Sequence, residues 1–303
     1  MKKIIIAGGT GFLGQCLASH FTKQGHQVII LTRRTSARHN DIKYIQWDGT
    51  HLGTWCQSLD GAEMLINLAG KSVDCRYTES NKKKIYSSRL GATSILSQAI
   101  LGLDRPPKLW INAASATIYR HAEDREMDEE SGEIGDGFSV DVCQKWEDIF
   151  NNIDIPNTRK VILRTAIVLG KDGGALSPLK NLARLGIGGR QGSGKQYVSW
   201  LHEKDFVNIV DFIIENEGLS GVVNASSPNP ITNRLFMKTL RGTLGIPFGI
   251  NSPKWLLEIG ALIIRTETEL VLKSRRVVPK RLTDRGFRFS YPEIDKALAE
   301  LCS

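Results

Sequence analysis

None of the five cysteines (Cys16, Cys56, Cys75, Cys143 and Cys302) stands in a CxxC pair, and their number is odd. A disulfide framework and a cysteine-based zinc site both need pairs at short spacing, so the sequence points to a reduced, cytoplasmic protein with no metal. Long apolar runs are also missing. The longest, residues 255–264, is interrupted by Glu258 and is too short to span a bilayer, so no membrane partner is expected. The apolar start at Ile4 gives way to glycine at Gly8, far short of a signal-peptide core, and is needed as a strand. There is no internal repeat and no low-complexity linker. Few aromatics separate the basic residues Arg275, Arg276, Lys280 and Arg281, so nucleic acid is not an expected partner. The net charge of +8 suits an anionic ligand such as a phosphorylated cofactor, and it also suits plain solubility.

What is present is organised around the N-terminus. Ile4-Ile5-Ile6-Ala7 runs into Gly8, Gly11 and Gly14, and an amphipathic stretch follows through Leu17, Ala18 and Phe21. This reads as strand, tight turn and helix. Gly8 allows the turn, Gly11 lets a pyrophosphate approach the backbone, and Gly14 lets the helix pack on the strand. The free N–H groups of the helix start then face the anion. Gly8, Thr10, Gly11, Phe12, Leu13 and Gly14 are therefore candidate cofactor contacts.

A second strand, residues 27–31, ends in Thr32-Arg33-Arg34. An acidic residue here would bind the adenosine ribose hydroxyls and select NAD. Arginine pairs with a 2′-phosphate instead, so Arg33 and Arg34 point to NADP(H). A third strand, 43–47, precedes Asp48, which stands where an adenine amino group can be read. A fourth, 64–68, ends in Leu68-Ala69-Gly70, small enough for the backbone to pass beside the cofactor. A long helical pattern, 80–101, carries Arg89, placed either to reach the pyrophosphate or to face solvent. The fifth strand, 108–112, opens into Ala113, Ala114, Ser115 and Tyr119. An acidic loop, 123–133, reads as a surface loop. A helix over 138–149 and a sixth strand over 160–168 complete a β/α alternation. The fold class is α/β, a Rossmann doubly wound parallel sheet with a small C-terminal α/β substrate lobe.

Beyond Gly170 the pattern changes. Residues 1–170 read as the NADP-binding domain, with further sheet elements over about 197–225, and 171–303 read mainly as the substrate lobe. Gly189 to Lys195 fits GxxxxGK, but Gln196 replaces the Ser or Thr that would hold magnesium. The flanking helix and strand are also reversed, so it is not a P-loop. Asp205 precedes an apolar helix and reads as its N-cap. His202 reads as a strand-end histidine, with a site residue as the alternative. Thr232-Asn233 opens a further helix.

The glycine triplet, Asn67-Leu68-Ala69-Gly70, Ser115-Ala116-Thr117-Ile118-Tyr119 and the strand end from Arg164 to Gly170 together resemble an extended short-chain dehydrogenase/reductase of the epimerase type. Asp141-Val142-Cys143-Gln144-Lys145-Trp146-Glu147, Gly173-Gly174-Ala175-Leu176, Gly192-Ser193-Gly194, Ser199-Trp200-Leu201-His202 and Arg276-Val277-Val278-Pro279-Lys280 narrow the resemblance to YfcH-type epimerase-family proteins. It runs nearly end to end. It implies a Rossmann domain, a characteristic C-terminal lobe and NADP(H), and it names no substrate. By analogy the chain is a monomer or a homodimer joined through its two long helices.

Short-chain dehydrogenases use a Ser or Thr, a Tyr, and a Lys four residues after the Tyr. The resemblance places Ser115 in the hydroxyl role and Lys145 in the lysine role, where it would also touch the cofactor. The residue four before Lys145 is Asp141, and none of the six tyrosines has a lysine four residues on. A carboxylate with a reference pKa near 4 is a poor proton donor at neutral pH, so Asp141 reads as an i,i+4 salt-bridge partner of Lys145. Tyr119 becomes the candidate substitute acid. Cys143 and Glu147 are further candidates, with Cys143 also reading as core. Ser115, Tyr119, Leu176 and Trp200 are candidate substrate contacts. Two functions fit these residues: an NADP(H)-dependent oxidoreductase or epimerase-like enzyme acting on a small polar or sugar-like compound, and a non-catalytic NADP(H)-binding sensor or partner-binding protein.

Overall fold

The structure, a computed structural model, describes residues 1–34, 41–264 and 267–303. Seven parallel strands form the main sheet: β1 (Lys3–Ala7), β2 (Gln27–Thr32), β3 (Ile42–Gln46), β4 (Met64–Asn67), β5 (Leu109–Ser115), β6 (Arg159–Thr165) and β7 (Gly221–Ala225). Their order is β7-β6-β5-β4-β1-β2-β3. The direction of winding reverses between β1 and β4, and open α/β sheets bind ligands at such a switch point, beyond the carboxyl ends of the strands.

Both faces of the sheet are covered, which is why the central strands are largely apolar. Ile4 and Ile6 point to one face, with Leu17 and Phe21 of helix α1 (Phe12–Lys23) and Phe206, Ile209 and Ile213 of helix α5 (Glu203–Glu215). Ile5 and Ala7 point to the other, with Ile95 and Leu96 of helix α2 (Glu79–Leu101) and Phe150 of helix α3 (Phe138–Asn151). Each of Ile4, Ile5 and Ile6 is fully buried, contributing about 1.5–3 kcal/mol of transfer free energy. A polar strut ties the sheet to α2 and α3. Asn67 Nδ2 donates to Asn112 Oδ1 at 2.7 Å and Thr93 Oγ1 at 3.1 Å, and Trp146 Nε1 donates to the same threonine at 2.9 Å.

The second lobe has its own core. Leu176 and Ala183 of helix α4 (Leu176–Arg184), Phe236 and Leu240 of helix α6 (Asn233–Thr243), Trp200, and Leu298 and Leu301 of the last helix (Ile294–Cys302) pack together. Helix α7 (Lys254–Ile264) follows α6. Among the described residues no helix is long and apolar enough to cross a membrane.

Three local expectations are corrected. The strand expected over 160–168 breaks after Thr165, and Ile167–Leu169 instead pairs in parallel with Trp200–His202. The strand-like run at 197–201 is split: Tyr197–Val198 pairs antiparallel with Ile231–Thr232, and neither piece joins the main sheet. Asp205 does not cap α5. His202 does, its Nδ1 accepting from the Lys204 N–H at 3.0 Å. The buried Asp205 carboxylate accepts from the Ser290 and Tyr291 N–H groups at 2.7 and 2.9 Å, tethering the C-terminal segment. The acidic loop is pinned as well. Met127 is buried, and Glu129 accepts from the Asn224 N–H at 2.8 Å.

Candidate functional site

A cleft of about 500 Å³ lies at the switch point. One wall is the first turn. Gly8 has φ +72, and a Cβ there would come within 2.8 Å of the Ala69 backbone, so both the turn and the neighbouring strand end require glycine. A Cβ on Gly14 would come within 2.5 Å of Gly9, so α1 packs directly on the turn. Gly11 differs: a Cβ there would meet no protein atom nearer than 4.0 Å, and Gly11 lines the cleft. Its missing side chain leaves space for a ligand, not for the protein. Gly11 is the N-cap of α1 and supplies no side-chain cap, so the first N–H groups of α1, at Phe12, Leu13 and Gly14, are left for an anion. These are the features a dinucleotide pyrophosphate requires. The glycines at 170, 173 and 174 make room for the Phe12 ring, to which a Cβ at any of them would come within 3.0 Å.

Leu68, Gly70, Arg89, Ala113, Ala114 and Ser115 also line the cleft, as their sequence positions suggested. Arg89 reaches it from α2. Its Nη1 donates to the Lys71 carbonyl at 2.9 Å, and its guanidinium lies 5.2 Å from the Trp146 ring. Thr10 is exposed in the turn, and Ala69 is buried behind Gly8. Arg33 and Arg34 are exposed at the end of β2 and do not line the cleft itself. Asp48 follows β3 and is also outside the lining. Its carboxylate is held well below the usual range by His51 and by the Thr50 and His51 N–H groups. Ser115 Oγ donates to Thr117 Oγ1 at 3.0 Å and accepts from the Thr117 N–H at 3.2 Å.

The face that α3 turns to the cleft is made by Phe138, Ser139, Val142, Cys143 and Trp146. Lys145 and Asp141 are not on it. Lys145 Nζ donates to Asp141 Oδ2 at 2.8 Å, and the Tyr86 hydroxyl donates to the same oxygen. These hydrogen bonds hold the Asp141 carboxyl below its ordinary value. The pairs four apart that do face the cleft are Phe138 with Val142, Ser139 with Cys143 and Val142 with Trp146. Burial pushes the Cys143 thiol up to about 12, so it is neutral and inert at physiological pH.

Tyr119 is not in the cleft. It is fully buried; its hydroxyl donates to Asn224 Oδ1 at 3.0 Å and accepts from Arg164 Nη1 at 2.9 Å. Arg164 in turn clasps Glu147 in a bidentate pair at 2.8 and 2.7 Å. The Arg164 guanidinium also lies 5.0 Å from the Tyr119 ring, so the buried ring covers that ion pair and serves the core. Leu176 and Trp200 belong to the core of the second lobe; both are fully buried, and Trp200 Nε1 donates to the Asn229 carbonyl at 3.0 Å.

Of the six tyrosines only Tyr77 lines the cleft, a residue that sequence reasoning missed. Its hydroxyl shares a 3.3 Å hydrogen bond with Ser139 Oγ, which donates to Glu269 Oε2 at 2.9 Å. Burial raises the Tyr77 pKa, so the phenol holds its proton. Behind this wall stands Arg275, buried and 3.7 Å from Glu269 Oε1, with its guanidinium pKa lowered by desolvation. The helical period of α3 was the available signal for Ser139 and Cys143. Tyr77 lies in an irregular loop and has no periodic signature.

Comparison with known proteins agrees with this geometry. Residues 4–137 match the NAD dependent epimerase/dehydratase family, and residues 252–301 match a domain of unknown function, DUF1731. The chain is 33% identical to the epimerase family protein YfhF of Bacillus subtilis (strain 168), over 98% of this chain and 97% of that protein. It is 30% identical to the human epimerase family protein SDR39U1, over 99% of each. A crystal structure of human SDR39U1 (isoform 2) with NADPH superposes with a TM-score of 0.88 at 31% identity, covering 99% of this chain and 98% of that one.

Proposed function

The chain belongs to the NAD dependent epimerase/dehydratase family, and on that premise we propose that it binds NADP(H) in the cleft and transfers hydride to or from a small polar substrate. The observation that carries this reading is that Gly11 and the uncapped start of α1 open onto the same cleft as Ser115. A cofactor seated on the turn would extend toward the strand end that presents a hydroxyl. The human relative crystallised with NADPH and the two arginines after β2 favour the 2′-phosphorylated cofactor.

When bound, the nicotinamide supplies hydride exchange. The protein's own groups orient the substrate and move the proton. Ser115 Oγ, fixed by Thr117, holds the substrate oxygen. Tyr77 replaces Tyr119 as the proton donor, because its phenol faces the cleft and keeps its proton at neutral pH. The apolar parts of Val142, Phe138 and Trp146 exclude water.

The rival reading, an NADP(H)-binding protein without catalysis, draws on one observation: no lysine stands on the cleft face of α3 to lower a tyrosine pKa. Single-turnover oxidation of NADPH with a panel of aldehydes, ketones and nucleotide sugars separates the two. Hydride exchange that falls by orders of magnitude in Ser115→Ala at unchanged NADPH affinity supports the enzyme. Tight NADPH binding with no exchange across the panel supports the rival.

A further inference from the structure

The net charge is not spread over the molecule. Residues 173–202 contain Lys180, Arg184, Arg190 and Lys195 and no acidic residue. Residues 218–257 contain Arg234, Lys238, Arg241 and Lys254 and again no acidic residue. These eight cations equal the whole net charge of +8; the rest of the chain balances 32 basic against 32 acidic side chains. The fold brings the two segments together. Residues 186–192 and 249–252 run side by side, with Ile250 N–H donating to Gly186 O at 2.8 Å, Gly189 N–H to Ile250 O at 3.0 Å and Ser252 N–H to Arg190 O at 2.9 Å.

Most of the large apolar side chains that the described residues leave in solvent lie on or beside this basic seam, the others being Met1, Leu52, Leu101 and Ile134. Leu185 is 74% exposed, Phe248 67%, Trp255 62% and Ile250 61%, with Ile187 and Ile259 beside them in sequence also exposed. Phe248 packs toward Gly186, so the two segments share one surface. Trp255 and Ile259 lie one turn apart on α7. Arg184 precedes Leu185, Lys254 precedes Trp255, and Arg241 donates to the Gly188 carbonyl. Glu258, between Trp255 and Ile259 on α7, is the one acidic side chain on this stretch of the helix, and it pairs with Lys254 at 3.8 Å. Single exposed apolar residues are ordinary; a cluster of them with an excess of one sign of charge around it marks a contact surface.

We propose that this seam adsorbs to an anionic lipid bilayer, with Leu185, Phe248, Ile250 and Trp255 entering the interface and the cations meeting lipid phosphates and carboxylates. The requirement for lying on a membrane differs from that for spanning one: exposed apolar side chains with a Lys/Arg rim suffice, and α7 need not be long. A second copy of the chain is disfavoured as the occupant, because apposing two such faces would bring like charges together. Nucleic acid offers phosphates but no apolar layer for the aliphatic side chains. The bilayer supplies both.

Trp255 makes the proposal measurable. The other five tryptophans (Trp47, Trp55, Trp110, Trp146 and Trp200) are buried, so Trp255 dominates any environment-dependent change in emission. The full-length protein is titrated with vesicles of phosphatidylcholine and phosphatidylserine in equal parts, and with phosphatidylcholine alone. The expected result is a blue shift with the anionic vesicles, quenching by brominated acyl chains, and reversal by salt. Trp255→Phe should lose the shift yet still co-sediment. Phe248→Asp should weaken co-sedimentation. Arg184→Gln and Lys238→Gln should each weaken it roughly five-fold, at unchanged thermal midpoint and NADPH affinity. No co-sedimentation with anionic vesicles overturns the proposal, as does equal binding to neutral ones. Binding to soluble polyglutamate but not to vesicles would assign the seam to an acidic protein partner instead.

Discussion

Lys145 Nζ lies 2.8 Å from Asp141 Oδ2, one turn apart on α3, on a side of that helix that does not line the cleft. The resemblance placed Lys145 beside the cofactor, but the helix is rotated so that Ser139, Val142, Cys143 and Trp146 face inward. Both members of the pair are about half exposed, where an ion pair is worth under about 1 kcal/mol. Lys145→Ala should therefore leave NADPH affinity within about two-fold of wild type and barely move the thermal midpoint. A large loss of affinity by fluorescence titration would return Lys145 to the site.

Gly11 and Gly14 should respond oppositely to alanine. A Cβ on Gly14 collides with the Gly9 backbone, so Gly14→Ala should destabilise the fold by about 1–3 kcal/mol, read by urea denaturation. A Cβ on Gly11 meets open cleft. Gly11→Ala should keep the denaturation midpoint and lose at least about ten-fold in NADPH affinity, 1.4 kcal/mol by the usual conversion. If Gly11→Ala binds NADPH normally, the pyrophosphate does not lie on this turn.

Tyr119→Phe tests the buried cluster. Losing the hydroxyl leaves Asn224 Oδ1 and Arg164 Nη1 each short of a buried partner, at a cost of about 1–3 kcal/mol. Glu147→Gln, which leaves the Arg164 charge buried without its counter-ion, should cost more, about 3–5 kcal/mol. Both should be stability defects with unchanged catalytic constants per folded molecule. A stable but inactive Tyr119→Phe would instead make Tyr119 the acid.

The parts of this molecule that could be read in sequence are those with a period or an obligatory residue. β1, the glycine turn and α1 follow from the apolar run into Gly8, Gly11 and Gly14, and the parallel sheet follows from the alternation of elements after it. The cleft residues contributed by strand ends, Leu68, Gly70, Ala113, Ala114 and Ser115, were legible because a parallel sheet sends all its carboxyl ends to one edge. What misled was rotation and burial. Whether Tyr119 or Tyr77 faces the cleft depends on tertiary packing: Tyr119 follows a strand end closely but turns back onto Arg164, whereas Tyr77 comes from a loop and points in. Leu176 and Trp200 are apolar residues near glycine-rich turns, and a core of their own claims them.

His202 gives the fold a pH dependence. It is fully buried, stacks on Tyr291 at 3.9 Å and lies 3.1 Å from Glu300. Glu300, Asp205 and Glu203 favour its charged form and burial opposes it; burial wins, so its pKa falls below the ordinary 6.5. The unfolded chain then binds the extra proton first. Stability is full above about pH 6.5 and declines as the pH falls toward the folded-state value. Urea denaturation at stepped pH should show that decline, and His202→Gln should flatten it. A decline unchanged in His202→Gln would assign it to other groups.

The central claim is a 2′-phosphorylated dinucleotide on the Gly8–Gly11–Gly14 turn. Titrating the purified protein with NADPH and with NADH, in wild type, Arg33→Ala and Arg34→Ala, tests it most directly. NADPH should bind at least about ten-fold tighter than NADH, with the preference reduced by losing either arginine. Equal affinity for the two cofactors would contradict the role of the arginines, and binding of neither would contradict the site.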